Sequence, residues 1–251
     1  MTKLSVSILT FNEERNIGRC IESVQGIADE IVVLDSFSTD RTREICAHYG
    51  VRVVEQAFLG AIEQRDLSMR VAAYDHVLCL DADETPSAEL AASILAEKAK
   101  GFPSPGYTMN RLSLLCDTWI HHGTWYPDRK LRLVKRDLAT VGVINPHERL
   151  QLAEGLRPVN LHGDLLHYSI LSIDEYVAKG NKYSTIAAKA MFDVGKRAGV
   201  WNLLWNPLLA FLKTYVFRLG FLDGFHGYVI ARQSAYQTFL KYAKLRQLGR
   251  S

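Results

Sequence analysis

LSVSILTFNEERNIGRCIESVQGIADEIVVLDS, residues 4 to 36, decides the fold. Residues 4–10, LSVSILT, are a short apolar run that reads as a buried strand. The spacing then predicts a helix over about residues 13–25. Asn12 is its expected N-cap, because a short side-chain oxygen can accept an unpaired helix N–H. Ile31, Val32, Val33 and Leu34 follow without a polar break, as in a parallel strand covered on both faces. Strand, helix and parallel strand in this order form a βαβ unit.

The unit repeats downstream. STDRTREICAHYG reads as a capped helix closed by Gly50, with Ser38 and Asp40 as natural caps. VRVVE is a third strand, residues 60–74 look helical, and HVLCL is a fourth strand ending at Asp81. Thr85 is the expected cap and Pro86 the first-turn residue of a helix reaching about Lys100. This alternation implies a doubly wound α/β fold with a mainly parallel sheet and helices on both faces. Such sheets bind ligands beyond the carboxyl ends of their strands. Asn12-Glu13-Glu14, Asp35, and Asp81 with Asp83 all lie at those ends, so topology brings them to one edge.

The stretch LCLDADET, residues 78–85, carries the chemistry. Two carboxylates one residue apart suit a hard cation, Mg²⁺ or Mn²⁺, which can bridge a diphosphate and stabilise it as a leaving group. The same letters also open phosphatase sites in which the first aspartate is a nucleophile. That reading needs later acids for Mg²⁺ and leaves the other strand-end carboxylates without roles. A nucleotidyltransferase would share the sheet and the metal logic. It would carry a Gly-rich basic loop after its first strand, and LTFNEERN supplies none. A non-catalytic scaffold would have lost the acidic motif, which is intact. Arg65, on the helix before the fourth strand, can reach phosphates, although an arginine so placed is more commonly a surface residue. Asp35 can accept hydrogen bonds from a base or ribose.

SVSILTFNEERNIGRCIESV, EIVVLDSFSTDRT, Gln64-Arg65 and LCLDADE, in this order over roughly residues 3–100, resemble the successive motifs of family 2 glycosyltransferases with the GT-A fold. The chain departs from the commoner pattern after Asp35, where Ser36 and Phe37 stand in place of a second acid and a glycine before Ser38. YPDRKLRLVKRD, Pro146-His147-Glu148, LLHYSILSIDEYVAKGNKYS and FRLGFLDGFHGYVIA resemble the bacterial lipopolysaccharide-core glucosyltransferase group. The resemblance implies an inverting transferase with a UDP-sugar donor, UDP-glucose foremost, and a lipid-linked heptose acceptor. Thr10, Asn12, Glu14, Asp35, Arg65 and Asp81 would line the nucleotide-sugar site. Asp83 and Asp81 would hold the metal, with His167 as a further ligand and His147 as an alternative to it. Inversion requires a base for the acceptor hydroxyl. Glu148 is the candidate and Asp128 the runner-up, while a pair with Arg149 or Arg132 is the plainer role for Glu148.

A 251-residue chain with 48% hydrophobic and 23% charged residues is globular in composition. Its four scattered cysteines form no C-x-x-C pair, which speaks against structural zinc and fits a reducing cytoplasm. The adjacent His121 and His122 would point apart in extended backbone, against a joint metal site. The N-terminus reads as a strand and not as a signal peptide.

Charge is uneven. Residues 1–178 hold 18 Lys/Arg and 25 Asp/Glu, 18 − 25 = −7; residues 179–251 hold 12 and 2, 12 − 2 = +10. Nothing points to nucleic acid, and a basic tail on an acidic body suits an anionic surface. Within that tail AGVWNLLWNPLLAFL, residues 198–212, is uncharged but too short to span a bilayer. Its tryptophans and the flanking cations suit a helix lying at the membrane interface. The alternative is a helical hairpin buried against the sheet. The expected division is residues 1–170 as the transferase domain and 171–251 as a membrane-associating helical extension. The expected location is cytoplasmic, peripheral on the inner face of the bacterial inner membrane.

Overall fold

The structure is a computed structural model that describes residues 2–144 and 147–249, with backbone alone at 143, 144, 147 and 148. In chain order the first elements are β1 (Leu4–Thr10), α1 (Ile17–Val24), β2 (Glu30–Asp35), α2 (Thr42–His48), β3 (Arg52–Glu55), α3 (Ala61–Arg70), β4 (His76–Asp81), β5 (Glu84–Pro86) and α4 (Ala88–Ala99). There follow β6 (Gly106–Leu115), β7 (Thr118–Trp119), β8 (Asp128–Lys135), β9 (Ala139–Ile144), β10 (His147–Leu152) and β11 (Val159–Ile170). Three helices close the chain: α5 (Ile173–Asp193), α6 (Val200–Leu212) and α7 (Gly224–Leu248).

Among the described residues the main sheet has nine strands in the order β3-β2-β1-β4-β8-β6-β11-β5, with β7 beside β6. The first four are mutually parallel, as the repeated βαβ pattern requires. Beyond β4 the β4–β8, β6–β8 and β5–β11 pairings are antiparallel. The strand period of two explains the continuous apolar runs. Leu4, Val6, Ile8, Leu78 and Leu80 pack on one side with Ile17, Cys20 and Ile21 of α1, Cys46 of α2 and Leu90 and Ile94 of α4. Val77 and Cys79 point the other way, onto Met69 of α3 and Leu150 of the β9–β10 hairpin. Both faces are therefore covered.

Three local expectations are corrected. Asn12 does not cap α1. Its φ is +55° and its side chain is taken by Thr39, so the helix starts only at Ile17. Ser38 is no cap either, because its hydroxyl is turned to Asp35. Pro86 lies in β5 and not in a helix, and Ser87 is the residue whose hydroxyl accepts from Leu90 N–H to cap α4.

By contacts the chain forms two compact units, residues 1–111 with 128–167, and residues 112–127 with 168–251. The stretch 112–127 thus groups with the C-terminal helices. In that second unit Leu115, Ile120, Ile170, Tyr176 and Ile230 form a small core. Asp223 accepts from the backbone N–H groups of His121 and His122 and pairs with the His122 ring, which anchors the histidine loop to the start of α7. No described helix is long and apolar enough to cross a membrane.

Candidate active site

The parallel register places Thr10 opposite Asp35 and Leu9 opposite Asp81, so the carboxyl ends of β1, β2 and β4 meet. Asp35 is buried, and both its oxygens accept from Ser38, one from the backbone N–H at 2.8 Å and one from the hydroxyl at 2.5 Å. The same hydroxyl accepts from Asn12 N–H at 2.9 Å. Asn12 Oδ1 accepts from Thr39 N–H, Glu14 N–H donates to Asp40, and Glu14 Oε2 accepts from Arg41 N–H. Asn12 and Glu14 therefore lace the loop after β1 to the loop after β2. Among the described residues the buried Thr10 hydroxyl meets no hydrogen-bond partner, nor does Oε1 of Gln64.

Asp81 is fixed on both oxygens. Arg65 Nη2 donates to Oδ1 at 2.5 Å and Arg132 Nη2 to Oδ2 at 2.8 Å. Arg65 is 2% exposed, so it is no surface residue. Burial works to raise the Asp81 pKa, but the Arg65 and Arg132 guanidiniums outweigh it and hold the carboxyl well below the usual range. Arg132 also donates to the fully buried Glu84 at 2.6 Å, and Glu84 Oε2 accepts from Asp81 N–H. Burial opposes the Arg132 charge, and Glu84 and Asp81 more than restore it, raising its pKa. Arg111 reaches Glu84 at 3.5 Å and Asp128 Oδ2 at 2.8 Å, and Lys130 reaches Asp128 Oδ1 at 3.0 Å. Burial raises the Asp128 pKa, but Arg111 and Lys130 bring it net below the ordinary value. The chain of ion pairs Arg65–Asp81–Arg132–Glu84–Arg111–Asp128–Lys130 is a fixed lattice under the site.

Asp83 stands apart from that lattice. Its Oδ2 lies 3.3 Å from His167 Nε2, with the two side chains 25% and 15% exposed. The β5–β11 register sets His167 opposite Glu84, one residue beyond Asp83, and so delivers the imidazole. A carboxylate oxygen and an imidazole nitrogen converging at a partly open position fit a divalent cation. Asp81 has both oxygens engaged, and no described group of three or more His, Cys, Asp or Glu converges around a metal position.

The structure thus gathers Thr10, Asp35, Arg65, Asp81, Asp83, Asp128 and His167 in the first unit. Glu148 stands opposite Val143 in the β9–β10 pair, and its side chain, like that of His147, lies outside the described residues. Sequence reasoning passed over Glu84, Arg111 and Lys130, and gave Arg132 only as a partner for Glu148. The available signal was period two in YPDRKLRL, which sets Asp128, Lys130 and Arg132 on one face of β8.

The strand-end carboxylate cluster lies at the carboxyl edge of the parallel strands, where folds of this class bind their ligands. Residues 5–147 match the family model described as glycosyl transferase family 2, and the chain belongs to that family. Among its relatives is an uncharacterized glycosyltransferase of Rickettsia typhi, 33% identical over 99% of this chain and 88% of that one. Another is LpsC of Rhizobium meliloti, a lipopolysaccharide core biosynthesis glycosyltransferase, 30% identical over 97% of this chain and 92% of its own. The mannosyltransferase PcManGT from Pyrobaculum calidifontis, solved with GDP-Man and Mn²⁺, superposes with a TM-score of 0.54. It covers 97% of this chain and 86% of its own at 15% identity, a likeness of fold. The fold is GT-A, with a helical C-terminal extension.

Proposed function

We propose that this family 2 glycosyltransferase inverts configuration while moving glucose from a UDP-sugar to a heptose of a lipid-linked lipopolysaccharide inner core. The observation that carries the reading is the Asp83–His167 pair, beside the strand ends that hold Thr10 and Asp35. Its similarity to LpsC supports the core-polysaccharide acceptor. Asp83 and His167 would hold the divalent cation, Mn²⁺ or Mg²⁺. When bound, such a cation neutralises the diphosphate of the leaving nucleotide.

The chain's own residues do the rest. Arg65 and Arg132 orient the backbone of the Asp-Ala-Asp turn through Asp81, and Asp35 with the laced loops shapes the nucleoside side. Glu148 takes the proton from the acceptor hydroxyl by the family pattern, leaving the oxygen to attack the anomeric carbon from the face opposite the nucleotide. The basic C-terminal helices hold the enzyme on the cytoplasmic face of the inner membrane, where a lipid-linked acceptor lies.

The test is UDP release from a panel of nucleotide sugars, with and without Mn²⁺ or Mg²⁺. Metal-dependent release from UDP-glucose is the expected result. Release from a GDP-sugar alone would replace the donor. Inorganic phosphate released from a sugar phosphate would revive Asp81 as a nucleophile.

A further inference from the structure

The last two helices present an apolar surface that the fold leaves uncovered. None of the residues of α6 is buried, and Val200, Trp201, Leu204, Trp205, Leu208 and Leu209 are all exposed. The turn from α6 to α7 is apolar and exposed as well, with Phe217 75% and Phe225 70% exposed and Leu219, Phe221 and Leu222 also outward. Water-exposed aromatic and aliphatic side chains in this density are far beyond the scattered apolar residues of an ordinary surface.

The corner is nevertheless built with care for packing. A single π-helical turn, Lys213–Phe217, follows α6. Phe211, Tyr215, Phe221 and Tyr228 stack edge to edge around it, with ring centroids 5.3–6.2 Å apart. Gly227 lies so close to the carbonyl of Gly220 that a Cβ there would sit 1.8 Å from the oxygen. The hairpin is thus held by its own ring cluster and a glycine contact. Phe217 and Phe225 are spare to it.

Charge selects the occupant. From residue 194 to 251 the chain has nine Lys/Arg and one acid, Asp223, which is bound to the His121–His122 loop. Lys196 and Arg197 precede α6, Lys213 and Arg218 flank its far end, and all four are exposed. Apolar side chains with tryptophan, rimmed by cations and lacking a free carboxylate, match the layered chemistry of an anionic bilayer surface.

We propose that the α6–α7 hairpin lies in the headgroup layer of an anionic membrane, with Phe217 and Phe225 of the corner entering the acyl boundary beside Trp201 and Trp205. This deepens the membrane reading above and rests on it. The corner, not α6 alone, is a second point of insertion. Two anchoring points fix the orientation of the second unit as well as its attachment.

The experiment is flotation of the full chain with vesicles of phosphatidylcholine containing about one third phosphatidylglycerol, against phosphatidylcholine alone. Binding to the anionic vesicles only is expected, with tryptophan emission quenched by brominated lipid and the quenching lost in W201F/W205F. F217S/F225S should lower partitioning by about tenfold or more, whereas F58S, an equally exposed phenylalanine elsewhere, leaves it unchanged. Binding of F217S/F225S equal to that of the parent overturns the corner's role. Equal binding to neutral vesicles overturns the charge selection. A dimer in solution that F217S/F225S dissociates reassigns the surface to a second copy of the chain. UDP release measured on the same samples separates the two readings: vesicle binding without UDP release from any donor would count against the UDP-sugar reading and leave the docking surface standing.

Discussion

Arg132 donates to Asp81 across 2.8 Å, and it does so from a guanidinium that also serves the fully buried Glu84. The first carboxylate of the Asp-Ala-Asp stretch is therefore a structural counter-ion. Among the described residues the second, Asp83, pairs with a partly open imidazole.

That division predicts opposite phenotypes for two substitutions of the same type. Asp81→Asn leaves the buried Arg65 and Arg132 facing an amide at a position 34% open to solvent, a loss of roughly 1–2 kcal/mol after screening that thermal or urea unfolding reads. Asp83→Asn should keep the parent's unfolding midpoint and abolish metal-dependent UDP release. Equal stability of the two variants would remove Asp81 from the structural role.

Acid should act on the lattice in one direction. Asp81 and Asp128 have folded-state pKa values below their ordinary ones. Their stabilisation is fully present above the unfolded-state carboxylate pKa, about 4, and is lost as pH falls through the folded values. The unfolding midpoint should thus fall below about pH 4 on their account, and the fall should be shallower in Asp128→Asn. Parallel acid limbs for parent and variant would contradict the assignment.

The position of His167 depends on a glycine. Gly163 has φ +92°, and a Cβ there would stand 2.3 Å from the backbone nitrogen of Leu90 at the start of α4. That close approach lets β11 run against α4 and pair with β5 in the register that sets His167 opposite Glu84. Gly163→Ala should cost about 2 kcal/mol or more through strain and displacement. It should also weaken Mn²⁺ binding about tenfold by moving the imidazole, as titration of Mn²⁺ by its electron spin signal would read. Unchanged Mn²⁺ affinity in a folded variant would mean that the β11 register does not govern the site.

The fold was legible because its signal is periodic. Unbroken apolar runs at Ile31–Leu34 and Val77–Leu80, each following a segment of helical spacing, allow little besides parallel strands. Topology then places Thr10, Asp35 and Asp81 together without any knowledge of side chains. The lattice was not legible in the same way. Arg111, Arg132 and Glu84 are brought together by antiparallel pairing of strands far apart in sequence, and no local period announces a long-range partner. The burial of Arg65 was not legible either, since most helix arginines are solvated. Asn12 was read as a cap because its residue type favours one, whereas its left-handed backbone and the bond from Thr39 N–H serve a loop-to-loop tie. The residue type was informative; its partner was not in the local sequence.

The base is where the two carboxylate candidates can be separated by physics. A general base works best when its pKa approaches the working pH, because a strongly depressed carboxyl is a weak proton acceptor. Asp128 is moved the wrong way by Arg111 and Lys130, and both its oxygens are already occupied. Glu148 sits on the β9–β10 hairpin, outside that array of fixed cations in sequence and in strand pairing. Glu148→Gln should therefore lower kcat for transfer to a heptose-containing core oligosaccharide by about 10²–10⁴-fold with little change in donor KM, the range that loss of a general base produces. It should also remove the acid limb of the kcat profile. Asp128→Asn should lower the unfolding midpoint and spare the acid limb, since its carboxyl is a counter-ion to Arg111. If the acid limb vanished in Asp128→Asn and survived in Glu148→Gln, the proton would pass through the lattice after all, and the Arg111 pair would have to open during turnover.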